Sequence, residues 1–311
     1  MLFAVGCGDA TTDIAPTEHV KKLDMVASES PDLDVANNGH VLLAPGLANV
    51  RFRDVAGVVT DVEGSDQQTL HQWLLTEDGR SFVERSCPVV ARGVTFGGCS
   101  PWSELTSIER FGLSEPIRSL STFVSYDASG AKVLKEIVFD LPGQNRSERS
   151  CPITVAGEID VPSCTDWAAS EEGAQNIGVP EQTAFSDEVV VTFHDEGGAL
   201  LQTQQLVSLS GSGVWARTCP VADLGTPGCD FSKELRLSDV GIDYDAIQGL
   251  GGYTLEIAGQ TLYAETVIAA DGQSTSRRVC PVTADGIRFD ECSKWSTAEL
   301  PTVLTTTASP L

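Results

Sequence analysis

The stretch 84–102, ERSCPVVARGVTFGGCSPW, returns three times along the chain: ERSCPITVAGEIDVPSCTDW at 148–167, ARTCPVADLGTPGCDF at 216–231 and RRVCPVTADGIRFDECSKW at 277–295. Each copy sets an arginine two residues before a Cys-Pro pair, and a second cysteine 10 to 13 residues after the first. A glycine stands near the middle of every cysteine pair, Gly93, Gly157, Gly225 or Gly286. A chain that folds back on itself through a positive φ needs such a residue. Residues opposed at a non-hydrogen-bonded antiparallel position have Cα atoms about 4.5 Å apart, within disulfide reach. The spacing therefore predicts four local staples, Cys87–Cys99, Cys151–Cys164, Cys219–Cys229 and Cys280–Cys292. In the chain-entropy account each such loop contributes roughly 3 kcal/mol.

Zinc is the competing reading of regularly spaced cysteines. Structural zinc sites take close CxxC-like pairs or Cys/His sets. Here the spacings are longer, and His19, His40, His71 and His194 all fall outside the repeated motif. Disulfides are favoured, no metal is expected, and the protein belongs in an oxidising compartment.

The repeat extends beyond the cysteines. A glycine followed by an aliphatic residue opens each unit, at Gly46-Leu47, Gly112-Leu113, Gly178-Val179 and Gly241-Ile242, which gives units of 66, 66 and 63 residues and a last copy ending near Pro301. The units are 46–111, 112–177, 178–240 and 241–301, with a Thr-rich tail at 302–311. Within a unit, short runs rich in Val, Ile, Phe, Thr and Tyr alternate with Gly, Asp and Pro turns. The second copy reads as strands at 117–127, 131–141, 145–153 and 157–164. That pattern predicts an all-β meander. Four antiparallel units of about 65 residues match the size and minimum number of blades in a β-propeller, so the architecture resembles a four-bladed propeller with one hairpin disulfide per blade. The alternative is a string of small disulfide-stapled β modules, whose cores would be thin.

The chain opens MLFAVGCGD. Ala4-Val5-Gly6-Cys7 resembles the lipobox of bacterial lipoproteins, in which signal peptidase cuts before a cysteine whose thiol carries diacylglycerol. The resemblance covers the first seven residues and implies lipid attachment at Cys7. Six residues precede Cys7, fewer than the basic and apolar parts of a signal peptide occupy, so residues 1–7 read as a truncated signal. Residues 8–45 are rich in Asp, Glu, Ser, Thr, Ala and Asn without apolar periodicity and read as a flexible acidic tether. Its end-to-end distance would be roughly 35 Å. These features place the protein in the bacterial cell envelope or outside the cell, on a membrane only through lipid.

The remaining signals concern partners. Trp102, Trp167 and Trp295 follow their cysteine by three residues and Phe231 follows its own by two. Repeated aromatics can stack on sugar rings, or wedge one sheet against the next; the wedge is the simpler reading. Arg85, Arg149, Arg217 and Arg278 lie on the same strand face as the cysteine two residues on. Each can cover the disulfide with its stem and pair its head with a carboxylate or carbonyl, or read an anionic ligand. The net charge of −24 disfavours nucleic acid. Acidic turns such as Asp61–Asp66, Thr76–Gly79 and His194–Gly197 lack the DxDxDG calcium pattern and fit ordinary turn chemistry. No GxSxG, HExxH, GxGxxG or P-loop is present, and no cofactor is implied. The sequence thus points to non-catalytic binding of a partner protein or glycan. A propeller-type enzyme acting on polysaccharide or peptide is the alternative.

Overall fold

The computed structural model describes residues 50–90, 93–127, 129–169, 184–195, 197–209, 214–224, 229–235, 247–257, 260–269, 272, 274–283 and 286–299. The lipobox, the tether, the tail and the third-repeat glycine at 225 lie outside them. The described residues form four antiparallel sheets and no α-helix. The first sheet holds β1 (Phe52–Asp61), β2 (Gln68–Thr76), β3 (Ser81–Val90), β4 (Gly93–Val94) and β5 (Thr106–Ser107). The second holds β6 (Ile117–Tyr126), β7 (Lys132–Asp140), β8 (Arg146–Pro152) and β9 (Ala168–Ala169). The third holds β10 (Phe185–His194), β11 (Leu200–Ser208), β12 (Val214–Pro220) and β13 (Ser232–Leu235). The fourth holds β14 (Ile247–Ile257), β15 (Gln260–Ala269), β16 (Ser274–Thr283), β17 (Gly286–Ile287) and β18 (Ser296–Glu299).

The leading strands of the sheets touch in the order β1, β6, β10, β14 and back to β1. That contact pattern closes a ring of four blades, a β-propeller. Each leading strand is buried on both faces, as the run Asp187–Val191 shows, because neighbouring blades cover both faces of a sheet placed in a ring. The cores accordingly lie in the seams. Trp73, Phe82, Ile117, Leu120, Leu134 and Val138 fill the seam between blades 1 and 2. Phe139, Phe185, Leu206 and Trp215 fill the next, and Val191, Val207, Leu250 and Tyr263 the third. Leu70, Val89, Tyr253 and Leu255 close blade 4 onto blade 1.

A repeated backbone latch joins successive blades. The turn between the second and third strands carries Gly79, Gly143 or Gly272, at φ +68°, +72° and +65°. Each glycine carbonyl accepts the N–H of the first residue of the adjoining blade: Ile117 at 3.0 Å, Phe185 at 2.9 Å and Phe52 at 3.1 Å. The Gly272–Phe52 bond ties the last blade to the first. At that closing seam β14 runs so near β1 that a Cβ on Gly251 would stand 1.8 Å from the Val55 carbonyl oxygen; only glycine fits such an approach.

All four disulfides join the pairs expected from the sequence, one in each blade. The local geometry differs from a plain hairpin. The second cysteine caps a short 3-10 turn in three blades, after Phe96–Gly98, Val161–Ser163 and Phe289–Glu291. Consequently 157–164 is not the fourth strand of the second blade. That strand is β9, four residues after Cys164, and the glycine turn forms only a bridge between Ile153 and Ile159. Among the described residues no helix is long and apolar enough to cross a membrane.

Candidate functional site

The repeated arginines are buried at 8, 6, 6 and 4 % exposure for Arg85, Arg149, Arg217 and Arg278. Each guanidinium lies over the aromatic that follows the second cysteine: Trp102 at 4.4 Å, Trp167 at 4.8 Å, Phe231 at 4.2 Å and Trp295 at 4.4 Å from the ring centroid. Each also bonds the side chain opposite it on the second strand. Arg85 and Arg217 donate to the amide oxygens of Gln72 and Gln204. Arg149 and Arg278 donate to the carboxylates of Glu136 and Glu265. Arginine, aromatic and disulfide thus form one packed box per blade, in which the arginine occupies a ring face of each aromatic. The Gln/Glu partners, 13 residues before their arginines, were not singled out from the sequence, although their constant spacing is visible there.

The Ser or Thr after the second cysteine is a further part of the box. In blades 1, 2 and 4 the hydroxyls of Ser100, Thr165 and Ser293 each accept a strand N–H at 3.0 Å, from Ser86, Ser150 and Val279. Two of the three acidic turns are likewise occupied by local bonds. Asp78 accepts from Thr76 Oγ1 at 2.6 Å and Arg80 N at 3.0 Å, and the Thr76 hydroxyl is the main reason its carboxyl sits below the usual range. Asp195 accepts the Ala199 N–H at 2.7 Å.

Side chains that differ from blade to blade gather on the ring axis. Each leading strand begins with the same register irregularity, ending at Asp54, Ser119, Asp187 and Gly249. Seven residues on from those positions stand Asp61, Tyr126, His194 and Glu256. All four line a funnel of about 150 Å³ that opens where the leading strands finish. Lys132 Nζ holds both Asp61 oxygens at 2.6 and 2.7 Å, and the Tyr126 and His194 rings meet edge to face with centroids 6.2 Å apart. Lower in the funnel is Thr122, buried and with a hydroxyl that has no hydrogen-bond partner among the described residues; the Tyr253 ring leaves the axis for the seam between blades 4 and 1, where Arg277 and Arg85 act on its hydroxyl. The axis then narrows to a void of about 10 Å³ between the strands.

At the opposite end of the leading strands Asp54 and Asp187 meet. They are 2 and 3 % exposed and hydrogen-bond to each other. Burial pushes Asp54 up to about 6, against the lowering effect of backbone N–H bonds. It also raises Asp187 well above the carboxylate range, with the Asp54 charge adding to the rise. Two carboxyls in direct contact are closer than the separations, about 5 Å or more, used in glycoside hydrolysis, and burial keeps substrate away. The pair is a structural feature of the ring.

No protein-family model matches the chain, and no curated protein matches it. Solved structures similar to it include a fucose lectin from Kordia zhangzhouensis, at 13 % identity over 57 % of this chain and 95 % of that one with a TM-score of 0.29. Others are the catalytic domain of a GH62 α-L-arabinofuranosidase from Coprinopsis cinerea, at 10 % identity over 79 % and 71 % with a TM-score of 0.41, and the Aleuria aurantia lectin, at 9 % identity over 83 % and 99 % with a TM-score of 0.39. Nothing about the ligand of this chain follows from them.

From the sequence, Asp61 and His194 are read only as parts of acidic turns, and Tyr126 and Glu256 are not singled out. A position that reads Asp, Tyr, His and Glu in four successive copies carries no repeat signal. Only the shared register irregularity, seen in the strand pairing, brings the four into equivalence.

Proposed function

We propose that the protein is an extracytoplasmic, lipid-anchored binding protein that takes the polar end of a glycan chain in the axial funnel. One observation carries the reading: the repeat is broken where its four equivalent positions converge on a single opening, as Asp61, Tyr126, His194 and Glu256. The arginine box recurs in every blade, whereas a site for one ligand on a rotation axis needs unlike groups. The rim offers an aromatic ring and several hydrogen-bonding groups suited to sugar hydroxyls, and the buried Thr122 hydroxyl lower down, without a partner among the described residues, favours a polar group reaching inward. Four disulfides fit an oxidising, extracellular setting.

A glycan screen with the body from residue 46 tests the binding. Tyr126→Ala and His194→Ala are expected to leave the melting temperature in place, since both side chains are exposed, and to weaken the ligand at least about tenfold, near the upper end for an aromatic contact. Unchanged binding in both variants would move the site elsewhere. The anchor rests on the resemblance at Cys7. Expressed behind a complete signal sequence, the protein should enter the detergent phase and Cys7→Ser should release it. Catalysis on the same saccharide is the second reading, and product formation during the screen would support it.

A further inference from the structure

We propose that Asp54 and Asp187 share one proton and that this proton is a pH-sensitive clasp of the ring. The pair spans opposite strands, β1 and β10, which do not adjoin in the ring order. Asp54 accepts the N–H of Val55 at 2.8 Å and, across the seam into blade 2, that of Leu120 at 2.6 Å. Asp187 repeats the arrangement, accepting from Glu188 at 2.7 Å and, across the seam into blade 4, from Leu250 at 2.8 Å. Four backbone N–H groups therefore occupy the outer lone pairs, and neither carboxylate is offered a donor by the other unless one of them keeps a proton. With the proton, the two carboxyls link all four blades through one hydrogen-bonded chain. Without it, two like charges face each other in a buried place.

Among the described residues the recorded partners of the nearby charged groups lie elsewhere. Arg53 on β1 acts on Asp54 only as the weakest of its influences. On β10, Glu188 turns away to Arg146 and Gln204. On β6, Arg118 donates to the Leu141 carbonyl. Tyr263 on β15 is within electrostatic reach of Asp187, and Glu265 and Arg278 act on Tyr263 in turn. Burial raises both carboxyls of the pair, so the folded state binds protons that the unfolded chain has released. The stabilisation is complete below the ordinary carboxyl range near 3.8 and is lost as the pH rises toward the folded values, about 6 for Asp54 and higher for Asp187. Glu136 and Glu265, also raised by burial, act in the same sense, and His71, lowered by burial, in the opposite one. The comparison of wild type with a variant removes all three.

Asp187→Asn keeps an oxygen for one backbone N–H and offers Asp54 a fixed N–H donor. Relative to this variant, the unfolding constant of the wild type should rise about tenfold per pH unit for each proton held, between about pH 4 and the folded values. Parallel pH profiles for the two proteins would overturn the clasp. So would a calcium-dependent rise in wild-type melting temperature at pH 8 that Asp187→Asn abolishes, because a cation would then stand in place of the proton. Infrared spectra give a reading that does not depend on the variant folding. Native wild type at about pH 5.5, above the ordinary carboxyl range, should show the C=O band of a protonated carboxyl, diminished in Asp54→Asn or Asp187→Asn. Absence of that band in the wild type, or its full persistence in a folded variant, overturns the proposal.

Discussion

Replacing Gly79 with alanine tests whether the blades are joined by the glycine latch. Gly79 sits at φ +68°, and an added Cβ would lie 2.0 Å from the Ile117 carbonyl oxygen. The positive φ alone costs alanine about 1–2 kcal/mol. Relieving the overlap must move the turn away from β6, which removes the Ile117 N–H bond to the Gly79 carbonyl and adds about 1 kcal/mol or more. The expected loss is about 3 kcal/mol, or about 6–12 °C in melting temperature at about 2–4 °C per kcal/mol for a body of this size. Gly64 is the internal control: its φ is +74°, yet an added Cβ meets nothing within 4 Å. Gly64→Ala should therefore cost only the conformational part, about 1–2 kcal/mol. Differential scanning calorimetry of both variants at one scan rate isolates the latch as their difference. Equal melting temperatures for Gly79→Ala and Gly64→Ala would show that the turn carries no inter-blade bond of consequence.

Four further outcomes are expected. Peptide mapping without reduction should recover the four within-blade cystine pairs and none between blades. Deleting blade 3, residues 178–240, removes both of its seams and should yield aggregated or markedly less stable protein by the nearest-neighbour logic of repeats; a soluble variant melting like the parent would speak against a closed ring. Arg149→Met leaves Glu136 buried without its partner and should cost about 3–5 kcal/mol in urea unfolding, against about 1–3 kcal/mol for Arg85→Met, which strands only the neutral Gln72 amide. His71, held below its ordinary value of 6.5 chiefly by burial, contributes stability present above that value and lost as pH falls through its folded value, so His71→Gln should flatten the acid side of the stability profile.

The cysteine repeat made the blades legible because a staple, its glycine turn and its arginine recur with little change in spacing. The apolar runs at 117–127 and 131–141 located β6 and β7 to within one residue. The fourth strand was misplaced for a physical reason. The segment 157–164 has the length of a strand, but Pro162 and the 3-10 turn at Val161–Ser163 direct the chain to bring Cys164 under Cys151, and pairing resumes only at Ala168. The axial residues were hidden for a different reason. Asp54, Asp187, Asp61, Tyr126, His194 and Glu256 are brought together by ring closure, a non-local event that no window along the chain reports. With 44 acids in the sequence, two that meet on an axis look like any others.

Charge bookkeeping across the ring leads to a last test. Each blade buries one arginine in its box, and among the described residues blades 1, 2 and 4 each bury one carboxyl group and blade 3 buries two. In blades 2 and 4 that acid is the box partner, Glu136 or Glu265. In blades 1 and 3 the box partner is Gln72 or Gln204 and an acid stands on the axis as Asp54 or Asp187, while the second buried acid of blade 3, Glu188, accepts from Arg146 of blade 2 and from Gln204. The separated charges show the strain of burial: Arg85 is pushed down to about 9, chiefly by desolvation with Arg277 adding to it, while Asp54 is pushed up to about 6. The double variant Asp54→Asn with Gln72→Glu moves the acid from axis to box and gives blade 1 the pattern of blade 2. Gln72 Oε1 already accepts Arg85 Nε and Nη2 at 2.9 and 2.8 Å, so a carboxylate enters without rearrangement and turns neutral-acceptor bonds into charge-assisted ones, about twice as strong. Relative to Asp54→Asn alone, Gln72→Glu should gain about 1–2 kcal/mol near neutral pH, a discounted reversal of the loss seen when one member of a buried pair is removed. Urea unfolding at pH 7 measures it. A destabilisation by Gln72→Glu of more than about 1 kcal/mol would mean that the box of blade 1 does not accept the ion pair that holds blades 2 and 4, and that the placement of acids around the ring does not follow from pairing.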